Sequence, residues 1–342
     1  MQMSFQLLNG AARLSRAGAA VSLFMLGFVA ELRADPYASA SAWSEGTKSA
    51  ARLIAAPAPA SGPYRAGVEI RLDVGAHTYW RTPGEAGAPP VFDFAGSENI
   101  KKAVVLYPAP SRVDEAGFDL FGYRGDVIFP VDVELTDDSR PAVLALSLDY
   151  AVCGEICLPV KAKTALTLPA RPGAGAAAPV ESSPEAASLE AARAKAPLRL
   201  DAAQRDAKFA IARDASAVQP TWRVRVKAGP ETADANSTDP DRAAADLFVE
   251  FPEGWYFESK KTDNPNEFLI VEVEAPPAQV AAAAAKGVAE GGAKIPVTVT
   301  VTLAQPRQSY EFTVDLGMFA ERPSLAHAAE PALANAPAGE KQ

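Results

Sequence analysis

Cys153 and Cys157 are the only cysteines in the 342 residues. Two thiols so spaced can form a disulfide that staples the chain, form one that exchanges with other thiols, or offer a soft site to a metal. They lie in the run Asp149-Tyr150-Ala151-Val152-Cys153-Gly154-Glu155-Ile156-Cys157-Leu158, followed by Pro159. Upstream, Leu144, Leu146, Leu148, Tyr150 and Val152 alternate with Val143, Ala145, Ser147, Asp149 and Ala151, the period of a half-buried strand. Downstream, Leu158, Val160, Ala162, Thr164, Leu166 and Leu168 alternate with Lys161, Lys163, Ala165 and Thr167 in the same way. The connection Gly154-Glu155-Ile156 suits a tight hairpin. Both cysteines then flank the loop on the more polar face, with Asp149 and Lys161. Facing residues of an antiparallel pair have Cα atoms ~4.5–5.5 Å apart, within reach of a disulfide. The pattern predicts a bondable, outward-facing pair.

A structural staple gains little here. A loop of about five residues gives ~2 kcal/mol in the chain-entropy picture, against ~3 for fifteen residues. An exposed disulfide is better placed for exchange, because an attacking thiolate must reach a sulfur in line. The C-x3-C spacing followed by proline is also similar to copper metallochaperones of oxidase assembly. Those use a βαβ context and a distant histidine, whereas the flanks here are strands and His327 lies in a low-complexity tail. Zinc lacks four convincing ligands. Redox exchange is the favoured reading, and a binding or assembly module with a structural disulfide, or a Cu(I) chaperone, stays open beside it. Asp149, Tyr150, Glu155 and Pro159 are expected to shape the site, the acidic pair disfavouring a nearby thiolate.

The elements that must position this pair follow from composition and period. Residues 1–38 read as an export signal: Arg13 and Arg16 precede an apolar run at 17–30, with cleavage expected near Ala34. That run is short of the ~20 residues of a membrane span, though an uncleaved anchor is the rival reading. Export to the periplasm would let a disulfide persist. A formal charge of −9 argues against nucleic-acid binding. The 29 prolines and 23 glycines favour short strands over long helices.

Residues 39–62 read as a flexible lead-in, and 63–169 as a first β-sandwich with strands near 68–74, 77–80, 102–107 and 127–135. Residues 170–197 form a linker holding a short helix capped by Ser183 with Pro184 in its first turn. A second β-sandwich without cysteines spans 198–318, with a polar insertion at 229–241 and a helical turn near 281–285. Residues 319–342 read as a disordered tail. With residues 198–342 removed, the first sandwich is expected to fold alone and still cycle between dithiol and disulfide. Phosphate-loop, dinucleotide and nucleophile-elbow motifs are absent from the sequence, and no cofactor or resident metal is expected.

A wider set of motifs carries a resemblance. Tyr79-Trp80-Arg81-Thr82-Pro83-Gly84-Glu85-Ala86-Gly87, Pro89-Pro90, Asp93, Ser97-Glu98-Asn99, Gly122-Tyr123-Arg124, Phe129-Pro130-Val131 and the run from Tyr150 to Pro159 resemble the periplasmic N-terminal region of DsbD-family thiol–disulfide reductases, most of all the ScsB-like branch. The likeness covers about residues 60–170 and continues more weakly to about 320. It implies an all-β chain of two immunoglobulin-like sandwiches in tandem, with Cys153 and Cys157 as the catalytic redox pair and Cys157 joined to the partner. It also implies an oxidoreductase-type electron carrier working between a DsbD-type membrane electron donor and periplasmic thioredoxin-like proteins. This chain departs from the family in having three residues between its cysteines instead of five. Where the family has an aromatic cap, it has Asp114-Glu115-Ala116-Gly117, leaving Phe118 and Phe121 as the nearby substitutes. The family's membrane and thioredoxin-like domains are not in this sequence.

Overall fold

The computed structural model describes residues 38–115, 117–171, 183–227, 245–274, 294–303 and 308–317. The expected export signal (save residue 38), the insertion at 229–241, the helical turn near 281–285 and the tail at 319–342 lie outside these residues. No described helix is long and apolar enough to cross a membrane.

Period-two alternation sets the first half of the molecule. Its strands are β1 (Ser44–Gly46), β2 (Ser49–Ala55), β3 (Tyr64–Leu72), β4 (His77–Gly84), β5 (Val91–Asp93), β6 (Ile100–Val105), β7 (Ser111–Glu115), β8 (Phe118–Arg124), β9 (Val127–Leu135), β10 (Ala142–Cys153) and β11 (Cys157–Leu168). One sheet has the order β1-β2-β3-β9-β6; the other runs β11-β10-β4-β8-β7, with β5 paired to β10. Leu144, Leu146, Leu148, Tyr150 and Val152 of β10 share one core with Val68 and Ile70 of β3 and Phe129, Val131 and Val133 of β9. Each such side chain removed from water contributes roughly 1.5–3 kcal/mol, so the register of β10 is fixed by which parity faces inward.

Two sequence expectations change here. The lead-in at 39–62 is not flexible in its middle: β2 pairs with β3 along its length, and Ala51, Leu53 and Ile54 are fully buried. Its Ser-Ala-Ala-Arg-Leu-Ile-Ala sequence is buried on both faces, so no alternation marks it as a strand. The helix expected inside the linker exists as α1 (Pro184–Ala194), with the Ser183 side chain accepting from the Ala186 amide. It does not hang between domains, however. Leu189 is fully buried, and α1 lies so close to β3 that a Cβ at Gly67 would stand 2.5 Å from the Leu189 Cδ2.

The second half comprises β12 (Leu198–Arg199), α2 (Ala202–Lys208), β13 (Phe209–Arg213), β14 (Thr221–Val226), β15 (Asp246–Glu250), β16 (Tyr256–Lys261), β17 (Glu267–Glu274), β18 (Lys294–Leu303) and β19 (Gln308–Gly317). Sheets of order β12-β19-β18-β15 and β13-β14-β17-β16 enclose a core that includes Trp222, Val224, Phe268, Ile270, Val297 and Val299. The chain is therefore all-β in class, with two short helices among the described residues.

The two halves are joined by more than a connection. Phe248 of β15 is buried in the first core, its ring 6.0 Å from Trp80 and 5.0 Å from Phe121. Arg112 of β7 reaches Asp246 at 3.0 Å and the Ser259 hydroxyl at 2.8 Å.

Candidate redox site

β10 and β11 pair without interruption from Ala142↔Leu168 to Cys153↔Cys157, leaving Gly154-Glu155-Ile156 as the loop. The facing cysteines are bonded, with S–S 2.07 Å and Cα atoms 4.0 Å apart. This meets the expectation of a strand-borne hairpin disulfide.

The expectation that both sulfurs face outward is corrected. Cys157 is exposed, but Cys153 is only 1 % accessible. The polar-looking parity of β10 carries a second, smaller core at this end of the strand, made of Tyr79, Val113, Leu120, Ala151 and Cys153. Its members come from β4, β7, β8 and β10 of one sheet, and they cover the sheet's outer side. Alternation along β10 alone shows that Cys153 leaves the main core, not that neighbouring strands cover it again.

Tyr79 brings a hydroxyl to the disulfide. Its hydroxyl donates to the Cys153 Sγ at 3.0 Å and lies 3.5 Å from the Cys157 Sγ. The ring is itself 98 % removed from solvent, edge-on to His77 with centroids 5.4 Å apart. Gly87 lies against it as well, where an added Cβ would stand 2.5 Å from the ring. Gly87 also holds φ at +104°, so only glycine suits both the space and the backbone. Strand β4 is tied to β10 beside the cysteine by the Cys153↔His77 pairing and by the Thr78 hydroxyl on the Ala151 carbonyl at 2.8 Å.

The other expected site residues are dispersed. Tyr150 points to the main core, its hydroxyl 2.7 Å from that of Ser49. Burial pushes its phenol above the ordinary range, and the Ser49 hydrogen bond draws it partly back. It does not face the sulfurs, because it lies on the opposite parity from Cys153. Asp149 is exposed and paired with the Lys161 ammonium at 2.8 Å. Glu155 and Pro159 are exposed on and beside the loop.

The aromatic substitutes do not cap the pair. Phe121 belongs to the main core beside Phe248. Phe118 stands six residues along β8 from Arg124, the residue level with Cys153 through His77, or about 20 Å of strand. The aromatic ring at the disulfide comes instead from a strand, as Tyr79. Parity could have found it: Trp80 is the inward residue of β4, which turns Tyr79 to the outer side with the cysteines. Among the described residues no group of three or more His, Cys, Asp and Glu side chains is placed to hold a metal ion.

The site is thus a hairpin disulfide at the end of a sandwich, with Cys157 exposed and Cys153 buried. Residues 48–169 match the family Thiol:disulfide interchange protein DsbD, N-terminal, and the segment folds as an immunoglobulin-like β-sandwich. The chain is also similar in structure to the N-terminal periplasmic domain of ScsB from Proteus mirabilis, at 20% identity and a TM-score of 0.55. That match covers 82% of this chain and 99% of that one. The shared fold therefore reaches beyond the family segment. No curated protein matches the sequence.

Proposed function

We propose that this chain is a periplasmic thiol–disulfide exchange protein in which Cys153 and Cys157 carry the two electrons. The observation that carries the reading is the asymmetry of the pair: an exposed Cys157 bonded to a buried Cys153 with the Tyr79 hydroxyl 3.0 Å from the buried sulfur. A partner thiolate attacks the Cys157 Sγ in line. The Cys153–Cys157 bond breaks as a mixed disulfide forms on Cys157, and the bonding electron pair leaves on the Cys153 sulfur. A second thiolate from the partner then attacks the mixed disulfide and releases Cys157 reduced, while the partner leaves oxidised. Run in reverse, Cys157 attacks a substrate disulfide and Cys153 resolves it.

Burial disfavours a thiolate, and leaving-group ability rises as the thiolate is stabilised. The Tyr79 hydroxyl is positioned to supply that stabilisation at Cys153. A donor of the DsbD membrane type and thioredoxin-like acceptors fit this chemistry, because each presents a thiol or disulfide that can exchange with the Cys153–Cys157 pair.

The test uses the full chain, its one remaining cysteine first converted to the mixed disulfide with thionitrobenzoate, and a reduced bacterial thioredoxin lacking its resolving cysteine, whose thiolate attacks that disulfide and expels thionitrobenzoate. Cys153→Ala leaves the open sulfur and should trap a mixed disulfide in good yield; Cys157→Ala leaves the sealed sulfur and should trap little. Equal trapping by both variants, or by neither, overturns the assignment of roles. A wild-type reduction potential below about −300 mV would instead mark a structural disulfide.

A further inference from the structure

The strand that brings Tyr79 to the disulfide loses its sheet partner immediately afterwards. Tyr79 pairs with Gly122, but the next pairing is Gly84 with Leu120. Residues 80–83 thus stand against Phe121 alone, and the ladder between β4 and β8 cannot hold them. What holds them comes from the second sandwich. The Arg81 guanidinium donates to Glu250 at 2.8 and 2.6 Å and to Glu311 at 2.5 Å. The Thr82 hydroxyl donates to Glu250 at 3.1 Å. Arg81 also lies over the Trp80 ring at 4.7 Å, and Trp80 meets Phe248.

Burial alone would lower the Arg81 pKa, but its hydrogen bonds to Glu250 and Glu311 and their charges outweigh that and raise it. Arg81 is therefore a fixed cation throughout the working pH range. Bidentate pairing of this kind fixes orientation as well as distance. After Gly84 the chain turns back and lays Gly87 on the Tyr79 ring. Arg81 thus anchors the segment between the sulfur-bound tyrosine and the glycine that covers it.

We infer that Arg81 is a positioning residue for the disulfide: held by Glu250 and Glu311 of the second sandwich, it sets the reach of the Tyr79 hydroxyl to Cys153. This gives the cysteine-free half of the molecule a part in the exchange reaction, and it rests on the reading of the pair proposed above. The Tyr79 hydrogen bond strengthens as the Cys153 sulfur takes the electron pair, so its loss slows the attack on Cys157.

The experiment measures the rate of disulfide reduction by dithiothreitol in the full chain for wild type, Tyr79→Phe, Arg81→Lys and the double variant. Tyr79→Phe should slow reduction by about tenfold, as expected for a hydrogen bond to a charged group. Arg81→Lys keeps the charge but loses the fork, and should slow it severalfold. The double variant should be no slower than Tyr79→Phe, because both changes act through one contact. Effects that multiply, an Arg81→Lys rate equal to wild type, or a Tyr79→Phe rate equal to wild type would each overturn the inference. A merely structural role for Arg81 would lower the melting temperature without this coupling. If Arg81→Lys does not fold, Glu250→Gln, which retains the Glu311 contact, carries the same cycle. Thioredoxin exchange run in parallel separates the two claims: wild type inert to thioredoxin defeats the exchange function, whereas multiplicative dithiothreitol rates defeat only the positioning role.

Discussion

The two sandwiches use their inward parity alike and their outward parity differently. In the first, β10 sends Leu144 to Val152 inward and the opposite parity near its end carries Ala151 and Cys153. In the second, β14 sends Trp222, Val224 and Val226 inward. Its outward residues Arg223 and Arg225 pair with Glu267 of β17, and Arg223 also reaches Asp214 at 2.7 Å. One outer face is an ion-pair network built on a buried carboxylate, Glu267. The other is a small apolar layer that seals a sulfur. Chemistry on a sandwich surface therefore needs a second, local core, and the first sandwich builds one from strands that overlap on its outer side.

The largest expected effect tests whether the halves are as separate as this contrast makes them look. Phe248 fills the first core from the second sandwich, so Phe248→Ala should cost about 3–5 kcal/mol. Hydrogen exchange should show protection falling in β4 and β15 together. Loss confined to β15 would make the two units independent, as the sequence expectation had it; by the same contacts, a chain ending at residue 197 should be far less stable than the full chain.

Next comes Leu189→Ala on α1, expected to cost about 2–3 kcal/mol in urea unfolding, since the helix covers β3 and does not tether domains. A change near zero would return α1 to a linker. Gly87→Ala introduces strain at positive φ of about 1–2 kcal/mol and pushes on the Tyr79 ring. Its melting temperature should fall modestly while reduction by dithiothreitol slows clearly, and an unchanged rate would detach the Gly87 cover from the redox site.

The smallest effect lies on the outer face of the second sandwich. Hydrogen bonds from Ser216, then Arg223, hold the Asp214 carboxyl down at about 2. A carboxylate depressed in the fold adds stability that is full above its unfolded value near 4 and is lost as pH falls towards 2. Asp214→Asn should therefore melt slightly lower than wild type at pH 7, and the gap should close between pH 4 and pH 2. A gap that persists at pH 2 would assign the loss to something other than the charge.

Much of this was legible in the residues. The hairpin, the span of β9 and the Ser183–Pro184 start of α1 follow from period and capping chemistry. Asp201 and Gln204 carry the capping-box spacing that opens α2, a signal equally present in the sequence. What was hidden depends on neighbours in space. β2 shows no alternation because both of its faces are covered. Cys153 looks outward until β4, β7 and β8 are placed beside β10. Phe248 reads as an ordinary core residue of its own strand, and nothing local shows that it crosses to the other half. The family's aromatic cap directed attention to Phe118 and Phe121, while the ring that meets the sulfurs is two residues upstream of Arg81.

β11 is the terminal strand of its sheet, and it begins at the open cysteine. Pro159, Lys161 and Lys163 follow within six residues, all exposed. Proline removes an amide from the strand, and lysines on an edge repel a second one. A visiting chain that reaches Cys157 is thus denied the backbone ladder that would prolong its stay. In the exchange proposed above, residence then rests on the covalent sulfur bond alone.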